Sequence, residues 1–95
     1  MNAAYIIGHI TVKDHVKWDE YRNKVPATLA PWGAEMIFRG KLCSVLSGNH
    51  RHIDAVVIRF PDLEALNHWH ASAEYQTLIP LRQKAAEMEL LSYET

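Results

Sequence analysis

Two arginines and a histidine occupy positions where their side chains could do chemistry. The first arginine, Arg82, shares a stripe at helical spacing with Tyr75, Leu78, Ile79 and Ala86. This stripe predicts a guanidinium among apolar neighbours, which is costly unless an acceptor satisfies it. We therefore expect Arg82 to be held inside the protein, by a carboxylate or carbonyl group or by a small acidic or carbonyl-bearing ligand.

Arg39 and His9 are the other two candidates, and each has a structural alternative. Arg39 precedes Gly40 at a predicted bend of a strand, and such bends often re-aim a side chain. It could equally lie over the sheet or pair across a dimer. His9 projects from a predicted central strand, where an imidazole can act as a general acid or base near neutral pH. Its alternative is a hydrogen-bonded histidine in a subunit interface.

Three aromatic residues complete the candidate pocket. Tyr21, Trp69 and Tyr75 are most simply core residues, and their polar tips need hydrogen-bond partners when buried. The same rings beside a cavity would stack on a flat ligand. The predicted pocket therefore contains His9, Tyr21, Arg39, Trp69, Tyr75 and Arg82, and the sequence assigns no catalytic residue among them.

Histidines are frequent in the chain but are poorly spaced for metal binding. His50 and His52 lie in a polar turn where solvent exposure is expected, and His68 and His70 would diverge by about 200° on a helix. No His-Glu-x-x-His motif, cysteine pair, Gly-x-Ser-x-Gly motif or phosphate-binding glycine loop occurs. We predict that the protein needs neither a metal nor a cofactor.

Length and charge narrow the class of protein. The 95 residues suit one domain, 1–95, and the net charge of −1 lacks the basic excess that would attract nucleic acid or an anionic membrane. No apolar run approaches the roughly 20 residues of a membrane span, and the N-terminus has a strand pattern, not that of a signal peptide. The single cysteine, Cys43, lies in a strand-like segment and favours a structural thiol in a reducing compartment. We expect a cytoplasmic protein.

The first strand pattern, over residues 4–12, has two different faces. Alternation puts apolar side chains on one face and a mixed set, Tyr5, Ile7, His9 and Thr11, on the other. The apolar face should lie under helices, whereas the mixed face suits a pocket or a subunit interface.

A helix is predicted to follow, with Asp14 as its N-cap. Pro26 should kink this helix or divide it into two segments. Its apolar stripe consists of Trp18, Tyr21, Val25 and Leu29.

Two more strands come next in the pattern. The first covers residues 34–46 and is interrupted at Gly40-Lys41 by a bend or bulge, and the second covers residues 54–60.

The pattern in the last part of the chain predicts a helix and a short strand. The helix opens at Pro61-Asp62, restarts at Ser72 as a new N-cap and is disturbed in its middle by Pro80. The strand covers residues 88–93.

The order β-α-β-β-α-β predicts an α+β protein of the ferredoxin-like type. Its four-stranded antiparallel sheet carries both helices on one face. The other face then needs a partner.

Several short motifs in this order resemble the domain-of-unknown-function family 1330, of the dimeric α/β-barrel superfamily. The resemblance spans Tyr5 to about Tyr93 and rests on Tyr21 with Pro26, Trp32-Gly33, Arg39-Gly40, Phe60-Pro61, Trp69, Ser72 through Tyr75, and Leu81-Arg82. It implies a dimeric α/β barrel, a symmetric homodimer in which two sheets meet face to face.

Three functions remain open under this resemblance. The first is binding of a small organic molecule in a pocket between sheet and helices. The second is an enzyme resembling the antibiotic-biosynthesis monooxygenases or the isomerases of the superfamily, and the third is a structural or regulatory dimer without a ligand. Shared fold does not choose among them.

Overall fold

A four-stranded antiparallel sheet with helices on one face forms the protein in a computed structural model that describes residues 2–95. The strands are β1 (Ala4–Val12), β2 (Glu35–Lys41), β3 (Asp54–Phe60) and β4 (Ala86–Glu94). The helices are α1 (His15–Leu29), α2 (Leu63–Ala71), α3 (Ala73–Gln76) and α4 (Ile79–Ala85), with a 3-10 turn at Ala30–Trp32. The strand order β2-β3-β1-β4 is that of the predicted ferredoxin-like fold, which is confirmed.

The core lies between the helices and one face of the sheet. On β1, Ala4, Ile6 and Ile10 are buried, and Ile58 and Phe60 of β3 are buried beside them. The alternating residues of both strands face away from the helices and are only half-buried. The predicted assignment of the two faces of β1 is therefore confirmed.

Helix α1 begins as predicted but is not divided at its proline. The Asp14 side chain accepts a hydrogen bond from the Lys17 backbone N–H at 3.1 Å and caps the helix. The helix continues through Pro26 to Leu29, so the predicted division is wrong. Pro26 is exposed, and water can therefore satisfy the Arg22 carbonyl that loses its helical donor.

The segment after β3 forms three short helices. The hydroxyl of Ser72 accepts a hydrogen bond from the Tyr75 N–H at 3.3 Å, which confirms the predicted N-cap. Pro80 lies in the first turn of α4, where its missing N–H costs nothing, and not in the middle of a helix. Ala86 is the first residue of β4, so it does not belong to the predicted stripe of Arg82. Within the described part of the chain, no helix has the length and apolarity to cross a bilayer.

Strand β2 is shorter than predicted. Its regular pairing ends at Lys41 opposite Asp54, and one further backbone hydrogen bond follows, from the Leu42 N–H to the Ile53 carbonyl at 2.6 Å. The strand stops there because the chain bends at residues 46–48 to return to β3. The irregularity falls between Met36 and Phe38, not at Gly40. Cys43 consequently lies exposed in the loop after β2 and is not a structural thiol within a strand.

The sheet face away from the helices, called the open face below, carries an apolar row. Phe38, Val57, Ile7 and Leu91 are neighbours across all four strands in the order β2-β3-β1-β4. Phe38 is 51% exposed and Leu91 is 41% exposed. The open face therefore leaves substantial apolar surface uncovered in a single chain.

Candidate functional site

A cavity of about 340 Å³ lies between helix α1 and the helix-covered face of the sheet. Its inner wall is buried and apolar or aromatic, and consists of Ile10, Tyr21, Val25, Val56, Ile58 and Trp69. Its outer edge is exposed and mostly charged, and consists of His15, Asp19, Arg39 and Lys41 with Met36. The cavity thus combines a mostly apolar interior with a charged mouth.

Helix α1 positions the aromatic side of this cavity. Because Tyr21 and Val25 are four residues apart, both point from the same face of the helix toward the sheet. Trp18 stacks on Tyr21, with ring centroids 5.3 Å apart and an angle of 28° between the ring planes. This contact fixes the Tyr21 ring against the cavity.

Among the described residues, Arg39 and Lys41 are cations at the mouth that have no carboxylate partner. The nearby Arg22 contacts Asp19 at 3.6 Å, but among residues 2–95 no carboxylate lies within ion-pair distance of Arg39. Partial burial, and then the neighbouring charge of Arg22, lower the pKa of Arg39. The guanidinium stays protonated at neutral pH, because its ordinary pKa is so high.

A chain of three polar groups ends at the cavity wall. The Arg82 Nη1 atom donates a hydrogen bond to the Tyr75 hydroxyl at 2.8 Å. The hydroxyls of Tyr75 and Tyr21 are 2.9 Å apart. Burial, followed by the nearby Tyr75 hydroxyl, raises the pKa of Tyr21 far above its ordinary value, so this phenol stays neutral.

The indole of Trp69 is fixed by a second pair of hydrogen bonds. Its Nε1 donates to the Thr28 hydroxyl at 3.0 Å, and that hydroxyl donates to the Val25 carbonyl at 2.7 Å. The Trp69 ring packs against Tyr75, with centroids 4.1 Å apart. All three polar tips that the sequence predicted to need partners, those of Tyr21, Trp69 and Tyr75, therefore have them.

Five of the six predicted pocket residues come together. Tyr21, Arg39 and Trp69 line the cavity, and Tyr75 and Arg82 lie directly behind Tyr21. The expectation that Arg82 is held by an internal acceptor is confirmed, although the acceptor is a phenol and not a carboxylate or carbonyl.

His9 is the exception, because it lies on the open face, on the far side of the sheet from this cavity. Its ring neighbours that of His50, with centroids 5.0 Å apart. His52 is 2% exposed, and its Nδ1 lies 2.9 Å from the Thr11 hydroxyl while its Nε2 lies 3.3 Å from a Glu89 oxygen. The predicted exposure of His52 is therefore wrong, because the loop folds back onto β1 and β4.

Metal-binding geometry is not found in the described chain. Between residues 2 and 95, no three His, Cys, Asp or Glu side chains are arranged to hold a metal ion. The predicted independence from metal remains a prediction that a chelator experiment can test.

Two cations at the cavity mouth, Arg22 and Lys41, were not predicted from the sequence. The spacing of residues in the sequence indicated both positions. Arg22 follows Trp18 by four residues and so shares its helix face, and Lys41 follows Arg39 by two residues on β2.

Solved structures with the same architecture support the fold assignment. A protein of unknown function from Rhodopseudomonas palustris has a TM-score of 0.84 and 12% identity, with 99% of this chain and 82% of that chain covered. A dimeric ferredoxin-like protein of unknown function from Jannaschia sp. CCS1 has a TM-score of 0.76 and 12% identity, with 98% and 99% covered.

A third similar structure is that of SnoaB, a cofactor-independent oxygenase from Streptomyces nogalater. Its TM-score is 0.72 at 10% identity, with 98% of this chain and 92% of that chain covered. At such identities these likenesses establish the fold alone.

Sequence comparison identifies the family. None of the curated proteins matches the chain. The family described as domain of unknown function DUF1330 matches residues 3–95, and the protein therefore belongs to the DUF1330 family.

Proposed function

We propose that the protein binds a small organic molecule with a flat apolar body and an acidic group in the cavity beneath α1. One observation carries this proposal: a cavity of about 340 Å³ has aromatic and apolar inner walls and Arg39 at its mouth. That volume falls in the range of small-molecule sites, roughly 300–1,000 Å³.

The two parts of the proposed ligand follow from the two parts of the cavity. Buried Val56, Ile58 and Trp69 favour an apolar ring system, because its transfer from water stabilises the complex by about 25 cal/mol per Å². The Arg39 guanidinium favours a carboxylate, which it can bind through two parallel hydrogen bonds.

Titration calorimetry with two matched probes tests this proposal. We expect wild-type protein to bind para-benzylbenzoate about tenfold more tightly than para-benzylbenzamide, a difference of about 1.4 kcal/mol. Arg39→Met should remove the preference for the acid. Lys84→Met, which removes an exposed cation from α4, should retain it.

Two outcomes would contradict the proposal. Absence of binding of both probes would favour a structural or regulatory dimer without a ligand. An unchanged preference for the acid in Arg39→Met would remove Arg39 from the site.

We also propose that two copies of the chain pair through their open faces. The apolar row of Phe38, Val57, Ile7 and Leu91 supports this, because a second copy would remove it from water. The description of the Jannaschia protein as dimeric gives independent support. The interface would be isologous, with the same row contributed by each subunit.

We propose a cytoplasmic location for this dimer. The exposed thiol of Cys43 supports it, because a free surface cysteine persists most readily in a reducing compartment.

Catalysis on the bound molecule is a second candidate, and the chain of Arg82, Tyr75 and Tyr21 favours it. These groups set a neutral phenol against the cavity, where it could stabilise charge that develops on a substrate oxygen. Oxygen uptake with a dihydroxynaphthoate, lost in Tyr21→Phe, would establish an oxygenase. Uptake equal to that of the protein-free solution would contradict it.

A further inference from the structure

The chain of Arg82, Tyr75 and Tyr21 has a defined hydrogen-bond direction at its first step. A guanidinium carries only donors, so the Tyr75 oxygen must accept from Arg82 Nη1 across the 2.8 Å contact. This leaves open which of the two phenols donates across the 2.9 Å contact between them.

Burial decides the direction of the second step. Tyr75 is 0% exposed, and in the described part of the chain the Tyr21 oxygen is the only acceptor within reach of its hydroxyl proton. If Tyr21 donated instead, the Tyr75 proton would be buried without an acceptor and would carry its full desolvation cost. Tyr21 lines the cavity and Tyr75 does not, so the Tyr21 proton can be accepted by water or a ligand in the cavity. Tyr75 therefore donates to Tyr21.

The Tyr21 proton is consequently directed away from Tyr75. No other acceptor in residues 2–95 lies within hydrogen-bond distance of the Tyr21 hydroxyl, and Tyr21 lines the cavity. We propose that Tyr21 presents a fixed O–H donor to the cavity and selects molecules that carry a carbonyl oxygen in the part that enters the cavity. This inference rests on the proposed function of the cavity and specifies its ligand class.

The donor role agrees with the electrostatics of the site. Burial raises the pKa of Tyr21, so the phenol keeps its proton at neutral pH and cannot act as a base. Arg39 is exposed at the mouth, whereas Tyr21 is 5% exposed at the inner wall. The selected molecule therefore has its acidic group outward and its carbonyl group inward.

A pair of probes that differ by one oxygen tests the inference. para-Benzoylbenzoate carries a carbonyl group where para-benzylbenzoate carries a methylene group. We expect wild-type protein to bind the ketone about five- to tenfold more tightly, as one hydrogen bond provides. Tyr21→Phe should bind the two probes equally.

Arg82 gives a second and more specific test, because it does not line the cavity. In Arg82→Met, water can replace the half-buried guanidinium beside Tyr75 and accept the Tyr75 proton. Tyr21 can then donate to Tyr75, which turns the Tyr21 proton away from the ligand. The preference for the ketone should therefore fall in Arg82→Met and persist in Lys84→Met. A purely structural role of Arg82 would weaken both probes alike and leave the preference unchanged.

The outcomes separate this inference from the proposed function. Equal affinity of wild-type protein for both probes would overturn the carbonyl selectivity and leave the binding function intact. Absence of binding of both would overturn the two together.

A measurement without ligand keeps the inference testable if the tyrosine variant fails to fold. In protein with isotope-labelled tyrosine rings, the slowly exchanging hydroxyl proton should show nuclear magnetic resonance coupling to the ring of Tyr75. Coupling to the ring of Tyr21 would reverse the direction of the bond and overturn the inference.

Discussion

At the scale of single residues, the buried phenols Tyr21 and Tyr75 combine packing with polarity. Their rings fill the space between α1 and the later helices, and their hydroxyls satisfy each other and Arg82. An apolar ring in either position would pack as well but would leave the Arg82 donor without its acceptor or the cavity without its donor. The need of buried polar groups for hydrogen-bond partners, and not packing alone, therefore explains why both positions hold tyrosine.

Burial of Tyr21 predicts that stability falls at alkaline pH. Because folding raises the pKa of Tyr21 above 10.0, the unfolded chain releases the phenol proton first as the pH rises. Below about pH 10, Tyr21 therefore adds no pH dependence to the free energy of unfolding. Above it, the Tyr21 contribution lowers this free energy by up to roughly 1.4 kcal/mol per pH unit. Urea denaturation should show a shallower alkaline decline for Tyr21→Phe than for wild type, and parallel declines would argue against this.

At the scale of elements, the central strand β1 sets how closely the sheet packs. Gly8 faces the helix side between its cross-strand neighbours Val56 and Leu90. A Cβ atom at Gly8 would lie 2.8 Å from Val56 Cγ1 and 3.4 Å from Leu90 Cδ1. The absence of a side chain at this position therefore lets Val56 occupy the wall of the cavity.

We expect Gly8→Ala to destabilise the protein by about 1–3 kcal/mol through overpacking. Val56→Ala removes the Cγ1 atom that the new methyl group would meet, so Gly8→Ala should cost clearly less in that background. Denaturant unfolding of the two single variants and the double variant measures this coupling. Additive effects would show that Val56 is not the obstacle.

At the scale of the whole molecule, the open face is an apolar surface that a single chain leaves partly uncovered. Helices cover one side of the sheet, whereas the other side presents Phe38 and Leu91 partly to water. Soluble monomers rarely leave a contiguous apolar surface of this kind uncovered. The proposed dimer would remove that surface from solvent.

The proposed pairing predicts that Ile7→Glu dissociates the dimer, because the variant buries a charge without a partner in the centre of the interface. Val16→Glu is the matched control: Val16 is 80% exposed and lies on α1, on the opposite side of the sheet. Sedimentation equilibrium should find Ile7→Glu monomeric and Val16→Glu dimeric. A wild-type monomer at micromolar concentration would end the proposal.

Local patterns in the sequence determined the order of elements and the two faces of β1. The alternation of Ile6 and His9 about the strand and the N-caps at Asp14 and Ser72 are short-range features, which follow from backbone geometry and neighbouring residues. These short-range features were sufficient to predict the ferredoxin-like fold. They also placed Tyr21 on the apolar stripe of α1 that reaches the cavity.

Only the tertiary structure decided features that depend on distant parts of the chain. The regular pairing of β2 with β3 ends at Lys41 and Asp54. His52 is buried where its Nδ1 lies 2.9 Å from the hydroxyl of Thr11, 41 residues earlier. The Tyr21–Tyr75 hydrogen bond joins residues 54 apart, and no local pattern specifies such a pair. Residue types and local patterns thus determined which groups are polar and where helices begin. Tertiary packing determined which of these polar groups form hydrogen bonds with one another.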